Sequence, residues 1–262
     1  MRAVFMALII FCAMSCVVEG KSSFKTQQLK HKRVSSAFRE KEGIVKKYFD
    51  RAGVEYPPEK IFIRIFKTVI DDGAGSSDGS GEVQLWAMGK SDKEFKYIKS
   101  YRICSSSGEL GPKLKQGDGQ VPEGFYEITN FNPQSNFYLS QKVSYPNKHD
   151  IKAGDKDDPG GDIYIHGNCV TIGCIPITDD YIKELYVAAV STKVSGHPIY
   201  CHIFPMEMNN EGMRRLKKLA GEDKTKIRFW ENLKEGYDIF ENTRIPPVPT
   251  FNKNGAYVFK MN

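Results

Sequence analysis

Short apolar runs closed off by turn-forming residues constrain this chain more than any other feature. Ile61-Phe-Ile-Arg-Ile-Phe66 follows Pro57-Pro58 and is too short for a core helix, so it reads as a buried strand. Asp71–Gly81 is all Gly, Ser and Asp apart from Ala74, which reads as a flexible hairpin loop with a second strand, Val83–Met88, beyond it. Phe95–Cys104, Phe125–Ile128 after the turn Pro122-Glu-Gly124, Asn136–Val143 and Pro198–Phe204 add further strand candidates. Helical spacing is rarer. Phe38, Val45, Tyr48, Phe49 and Ala52 recur on one face and stop at Gly53, and Thr178 caps a run that buries Ile182, Leu185, Tyr186 and Ala189. Glu211–Ala220 reads as a basic amphipathic helix, and the chain from Phe229 onward as an irregular tail with Pro246-Pro247. Strands outnumber helices, so the expectation is a mainly β domain with a few added helices. Without an internal repeat or a break in composition, residues 34–262 read as one domain.

The start of the chain reads differently. Met1-Arg2, the apolar run Ala3–Met14 and Ser15-Cys16 have the charged head, greasy middle and small-residue end of a secretory signal over residues 1–20. That run is too short to span a bilayer comfortably. Ala13-Met-Ser-Cys16 also resembles a bacterial lipobox, although Ala13 stands where Leu is usual and Val18-Glu-Gly20 offers an ordinary cleavage site. The favoured reading is a periplasmic, envelope-associated protein lipid-anchored at Cys16, with polar residues 21–33 as a flexible tether. Membrane contact is expected only through that anchor. Removing residues 1–20 takes away Arg2 and Glu19, so the formal excess of +6 is kept. It is mild and scattered, with no basic stripe interleaved with aromatics, which argues against nucleic acid as a partner.

Six cysteines occur, at 12, 16, 104, 169, 174 and 201. Discounting Cys12 in the signal and Cys16 at the anchor, one arrangement is a Cys104–Cys201 bridge with Cys169 and Cys174 left as thiols. His166 and Cys174 are the chemically pointed pair. In Asp162-Ile-Tyr-Ile-His166 the alternation of a strand puts Ile163 and Ile165 on one face and His166 on the polar one. Gly167 and Gly173 then let the backbone turn back, so that Cys174 approaches the imidazole. A thiol beside a histidine is an acyl-transfer nucleophile with a general base, and backbone N–H groups at Gly173 and Cys174 are candidates for an oxyanion hole. A zinc site built from His166, Cys169 and Cys174 with His149 or His202 is the rival, but the spacing fits no common structural zinc pattern. No cofactor or metal is expected.

The run Ile165-His-Gly-Asn-Cys-Val-Thr-Ile-Gly-Cys174 resembles the signature of the L,D-transpeptidase (YkuD-like) family, and within it the YafK-like branch. Ser107-Gly-Glu-Leu-Gly-Pro-Lys113, Gly117-Asp-Gly-Gln-Val-Pro-Glu-Gly-Phe-Tyr126 and Tyr145-Pro-Asn147 agree in order and spacing. The resemblance implies a β-sandwich-type catalytic domain acting on peptidoglycan stem peptides, with Cys174 as nucleophile and His166 as general base and acid. It further implies that a backbone carbonyl near Gly167 orients the imidazole, and that Asp162 is structural. Lys113, Tyr126, Tyr145, Asn147 and Thr171 become substrate-binding candidates. The acceptor is an amine of a second stem, water or a peptidoglycan-anchored protein. Cross-linking members usually carry Arg two residues after the cysteine; here that residue is Pro176, which leaves both transfer and hydrolysis open, beside the alternative of a non-catalytic peptidoglycan-binding envelope module. Cys169 reads as a core thiol, or as a disulfide partner that would switch Cys174 off.

Overall fold

A computed structural model describes residues 24–68 and 81–260. The signal segment, Cys12, Cys16 and most of the Asp71–Gly81 loop lie outside those residues. Of the expected tether, residues 24–29 are helical and lead into helix α1 (Lys32–Arg51), with Phe24 edge-on to Phe131 at 5.4 Å and Gln28 buried against Tyr186. The packed chain therefore reaches back to Phe24, because that aromatic ring removes apolar surface from water. Helix α1 buries Val34, Ala37, Phe38, Val45 and Phe49 on one stripe. It ends where Gly53 takes φ +63° and the Val54 N–H closes back on the Phe49 carbonyl at 3.0 Å, a Schellman-type stop.

The strands are β1 (Lys60–Phe66), β2 (Glu82–Met88), β3 (Lys96–Arg102), β4 (Gly124–Asn132), β5 (Ser140–Val143), β6 (Tyr164–His166), β7 (Ile175–Pro176) and β8 (Tyr200–Phe204). They form one eight-stranded sheet in the order β3-β2-β1-β8-β4-β5-β6-β7. Strand β4 is the bend. Its first half, Gly124–Glu127, pairs with β8, and after a register shift between Ile128 and Asn130 its second half pairs with β5. The sheet thus curls at β4, carrying β5, β6 and β7 round as a second arm. Here the mainly β, sheet-centred architecture with added helices is as expected.

Helices cover both faces. Ile61, Ile63 and Ile65 of β1 face the core closed by α1 and by α3 (Thr178–Thr192); helix α2 is the short Lys148–Ala153. Phe62 and Phe66 point the other way, toward α4 (Asn210–Ala220) and α5 (Lys224–Thr243), where Trp230, Leu233, Tyr237 and Phe240 are buried. Fully burying side chains of this size stabilises by roughly 1.5–3 kcal/mol each, which explains why β1 is apolar on both faces apart from Lys60 and from Arg64, whose guanidinium pairs with Glu241 of α5. Helix α5 corrects the expected irregular tail. Asp223 caps it by accepting the Thr225 and Lys226 N–H groups at 3.0 and 2.9 Å, and the chain ends in a small hairpin, β9 (Thr250–Phe251) with β10 (Tyr257–Val258). The strand expected over Asn136–Val143 is confined to Ser140–Val143; Asn136–Leu139 is a turn that crosses the face of His166.

Candidate active site

Strands β6 and β7 run parallel, with Ile165 beside Ile175 and His166 beside Pro176. Extending that register by one residue places Cys174 beside Tyr164, on the same face as His166, since side chains alternate along a strand. Both side chains open into one cavity of about 410 Å³, together with Phe137, Ser140, Tyr164 and Ile172. Cys174 alone of the two also lines a second cavity of about 160 Å³, walled by Ser105–Glu109 and Lys67. The thiol can therefore be approached from two sides.

The connecting loop, residues 167–173, is held from several directions. A Cβ on Gly167 would come within 2.5 Å of Asp179 Oδ1 and 2.9 Å of the Phe137 carbonyl, so only glycine fits. Asn168 N–H donates to Asp179 Oδ1 at 2.8 Å. Gly173 takes φ +129°, and a Cβ there would lie 3.1 Å from the Gln120 carbonyl oxygen, again a glycine position. The Thr171 hydroxyl lies at the centre of the turn: it accepts the Cys174 N–H at 2.8 Å and the Gly173 N–H at 3.2 Å, and donates to the Cys174 carbonyl at 2.8 Å. This changes two expectations. Thr171 shapes the loop instead of facing a substrate, and the N–H groups expected as oxyanion donors at Gly173 and Cys174 are already engaged by it.

The imidazole is set by its neighbour. His166 Nδ1–H donates to the Gly167 carbonyl at 2.5 Å, which leaves Nε2 as the basic nitrogen. Phe137 lies over the ring at 4.6 Å between centroids, with 32° between planes, and Ser140 stands directly opposite on β5. Burial pushes the His166 pKa below the ordinary histidine value, partly offset by the Gly167 hydrogen bond. Cys174 moves the other way: burial raises its pKa above the ordinary thiol value, against a backbone contact at Tyr164 that lowers it. Its Sγ lies 3.5 Å from the Asp162 carbonyl oxygen, to which the thiol donates. The resting pair is thus neutral thiol and neutral imidazole. For such a thiol to act as a nucleophile its proton would have to pass to a base as it attacks, and Nε2 is the ring nitrogen left to accept one.

The remaining candidates fall apart in space. Tyr126 and Asn147 surround buried Asp150, not the thiol. Tyr126 Oη donates to both Asp150 oxygens at 3.1 Å, and Asn147 caps α2 while its side chain donates to Tyr257 Oη at 2.9 Å. Burial lifts the Asp150 pKa to about 7, against hydrogen bonds from Asn147 and Tyr126 that lower it. Tyr145 is buried, with its hydroxyl on the Pro159 carbonyl at 2.8 Å. The polar side-chain atoms of these three hydrogen-bond within the protein. Lys113 does line the cavity shared by His166 and Cys174, but it is buried, and Asp118 pairs with its ammonium at 2.6 Å. Asp162 is paired with Lys142 at 2.8 Å.

The cysteine pattern also differs. Cys104 is bonded to Cys169, which is exposed; Cys174 and buried Cys201 are free. The Cys104–Cys201 arrangement and both readings of Cys169 are therefore corrected: the bridge ties the end of β3 to the catalytic loop. The zinc set does not assemble either. His149 is stacked between Phe229 and Tyr257, His202 is enclosed by Phe62, Phe125 and Phe204, and Cys169 is oxidised.

Residues 82–199, the stretch carrying both His166 and Cys174, match the YkuD family, the L,D-transpeptidase catalytic domain. The YafK protein of Escherichia coli K12 is 38% identical over 172 residues, and that of the O157:H7 strain equally so. Residues 82–199 are a YkuD-type L,D-transpeptidase catalytic domain. The aligned stretch covers 64% of this chain and 66% of YafK, just under two thirds of each. Among solved structures, the helical cell shape determining protein Pgp2 from Campylobacter jejuni aligns with a TM-score of 0.40 and 16% identity, over 79% of this chain and 80% of that one. Its K307A mutant aligns with a TM-score of 0.41 over 76% of each. Within the L,D-transpeptidase domain, sequence reasoning missed Phe137 over the imidazole and the Cys104 tether, neither of which has a local signature. Strand β1, β8 beyond its linker, α4, α5 and the β9–β10 hairpin lie outside the matched stretch.

Proposed function

We propose that this chain is an extracytoplasmic cysteine acyltransferase acting on peptidoglycan stem peptides. The observation that carries the reading is the pairing of Cys174 with a tautomer-locked His166 on adjacent strands of a YkuD-type domain, both opening into one cavity. Cys174 Sγ attacks the carbonyl carbon between an L-centre and the following D-residue as its proton passes to His166 Nε2. The tetrahedral intermediate collapses to a thioester while the imidazolium returns that proton to the departing amine. An incoming amine then gives up a proton to Nε2, attacks the thioester carbon and forms the new amide, and the thiol is restored. Ile172, at 90% exposed, supplies an apolar lip at the cavity mouth. A disulfide beside the site supports work in an oxidising compartment, and anchoring through Cys16 is part of the proposal.

Hydrolysis is the second reading. Pro176 occupies the place where cross-linking members usually carry Arg; it is buried in β7 between Ile175 and Ile177, so this position offers no cation to an acceptor. Water would then resolve the thioester to a carboxylic acid and restore the Cys174 thiol, the group or anchored protein carried by the amine having departed when the thioester formed. Mass spectrometry of stem-peptide products formed in ¹⁸O-water with an added D-amino acid separates the two: an exchanged or cross-linked amide marks transfer, and an ¹⁸O-labelled carboxylate marks hydrolysis. Product formed by Cys174→Ala would refute both.

A further inference from the structure

A third cavity, of about 610 Å³, lies next to the small one that reaches Cys174, and the two share Glu109 and Leu110 as a common ridge. Half of its wall comes from α5 and the β9–β10 hairpin, beyond residue 199 where the family match stops. The ridge is rigid. Lys67 Nζ donates to the Glu109 carbonyl at 2.7 Å, the Gly111 carbonyl at 3.2 Å and the Glu123 carboxylate at 3.1 Å, while Trp230 of α5 donates to the other Glu123 oxygen at 2.7 Å. The cavity therefore keeps a fixed place relative to the thiol.

Its lining has a definite chemistry. Four side-chain amides, Gln120, Asn232, Asn252 and Asn254, face it above a floor that includes Leu110 and Phe229. Asn232 is bonded to the Tyr257 backbone, but among the described residues Gln120 uses only Oε1 (to Glu109 N–H) and Asn252 only Oδ1 (to Asn254 and Ala256 N–H). The Gln120 and Asn252 NH₂ groups and the Asn254 amide keep hydrogen-bonding capacity for a ligand. Charge is balanced: Lys226 and Arg228 stand against Glu109 and Asp223, and burial lowers the His149 pKa, favouring its neutral form. A concave surface with apolar floor, convergent amides and no net charge fits a neutral ligand rich in hydroxyl and amide groups. It does not fit a stem peptide, whose several carboxylates would need a cation excess.

We propose that this cavity binds an N-acetylated sugar of the glycan strand from which the stem peptide hangs, so that the substrate lies across the Leu110 ridge with its peptide at Cys174. This rests on the peptidoglycan reading above and adds the glycan as a recognised part of the substrate. The test uses the full chain, with chitotetraose as the sugar probe and two stem tetrapeptides, one free and one carrying its disaccharide. In amide NMR spectra, chitotetraose is expected to shift Asn252, Asn254 and Phe229. In kinetics, the sugar-linked stem is expected to have a KM lower by about tenfold, because contacts equal in ground and transition states appear in KM. Ala153→Trp, which fills the cavity from the exposed end of α2, abolishes the shifts and erases the KM difference while leaving turnover of the free stem unchanged. Asn254→Ala, at the hairpin tip, gives the same trend if the tryptophan variant does not fold. Absent or dispersed shifts, equal KM values in the wild type, an equal loss on both stems, or saturable shifts at this cavity with the free stem would each overturn the proposal. If the wild type turns over neither stem, the peptidoglycan reading fails, and the NMR titration alone decides the sugar site.

Discussion

Removing the Cys104–Cys169 bridge by the double change Cys104→Ser, Cys169→Ser tests how the catalytic loop is held. The bridged residues are 65 apart in sequence, so the bridge denies the unfolded chain a loop whose closure entropy is worth about 4 kcal/mol at room temperature. The folded side has less to lose. Cys104 N–H still donates to the Pro176 carbonyl at 3.0 Å, Asn168 stays tied to Asp179, and Thr171 keeps its three hydrogen bonds. The native geometry should therefore survive, and the loss should fall on the unfolded state. For a domain of this size, about 4 kcal/mol corresponds to a drop of roughly 8–16 °C in Tm, at 2–4 °C per kcal/mol. Calorimetry of wild type and variant, each with and without a phosphine reductant, reads it directly. Reduced wild type should melt near the variant, and the variant should not respond to reductant. If mass spectrometry confirms the bridge in the wild type and the two melt within about 2 °C of each other, below the effect of 1 kcal/mol, the reasoning is wrong.

Three further outcomes follow from the buried titrating groups. Because burial raises the Cys174 pKa, iodoacetamide should alkylate it at a rate that climbs as pH passes the ordinary thiol range, and a fast rate constant from pH 5 upward would instead reveal a preformed thiolate–imidazolium pair. Phe137→Ala uncovers the imidazole, so the His166 pKa should rise toward its ordinary value and the acid limb of kcat/KM should move to higher pH, the limb tracking protonation of the base; an unmoved limb counts against the stacking. His202, with its pKa depressed to about 3 by burial and by Arg64, is neutral when folded and protonates more easily when unfolded. Its contribution is intact above about pH 6.5 and is lost as pH falls toward 3, on the order of 5 kcal/mol. The variant His202→Leu should flatten the fall in urea stability between pH 6.5 and 4, and an unchanged slope would assign acid lability to other groups.

What the sequence discloses and what it hides divide along one physical line. The strand alternation around Ile163 and Ile165, the glycines at 167 and 173 and the pairing of His166 with Cys174 are local, and each follows from period-two geometry or from a backbone that admits no Cβ. The bridge to Cys104 is not local: it depends on the end of β3 meeting β7, a consequence of how the whole sheet curls. Helix α5 was recoverable in part, since Asp223 is a capping residue and Trp230, Leu233, Tyr237 and Phe240 fall at spacings of three and four. Gly236 obscured it. That glycine is there because a Cβ would lie 2.4 Å from the Phe125 ring, a tertiary demand that outweighs helix propensity. The partners of the substrate-binding candidates within the protein were hidden for the same reason. Tyr126 and Asn147 hydrogen-bond buried Asp150, and Tyr145 the Pro159 carbonyl, yet residues with such partners look, in sequence, like polar residues that await a ligand. A local motif names the atoms that react. Which other polar groups keep hydrogen-bonding capacity is decided by burial: among the described residues the Gln120 and Asn252 NH₂ groups beside the Leu110 ridge keep it, where the hydroxyls of Tyr126 and Tyr145 and the Asn147 amide are engaged.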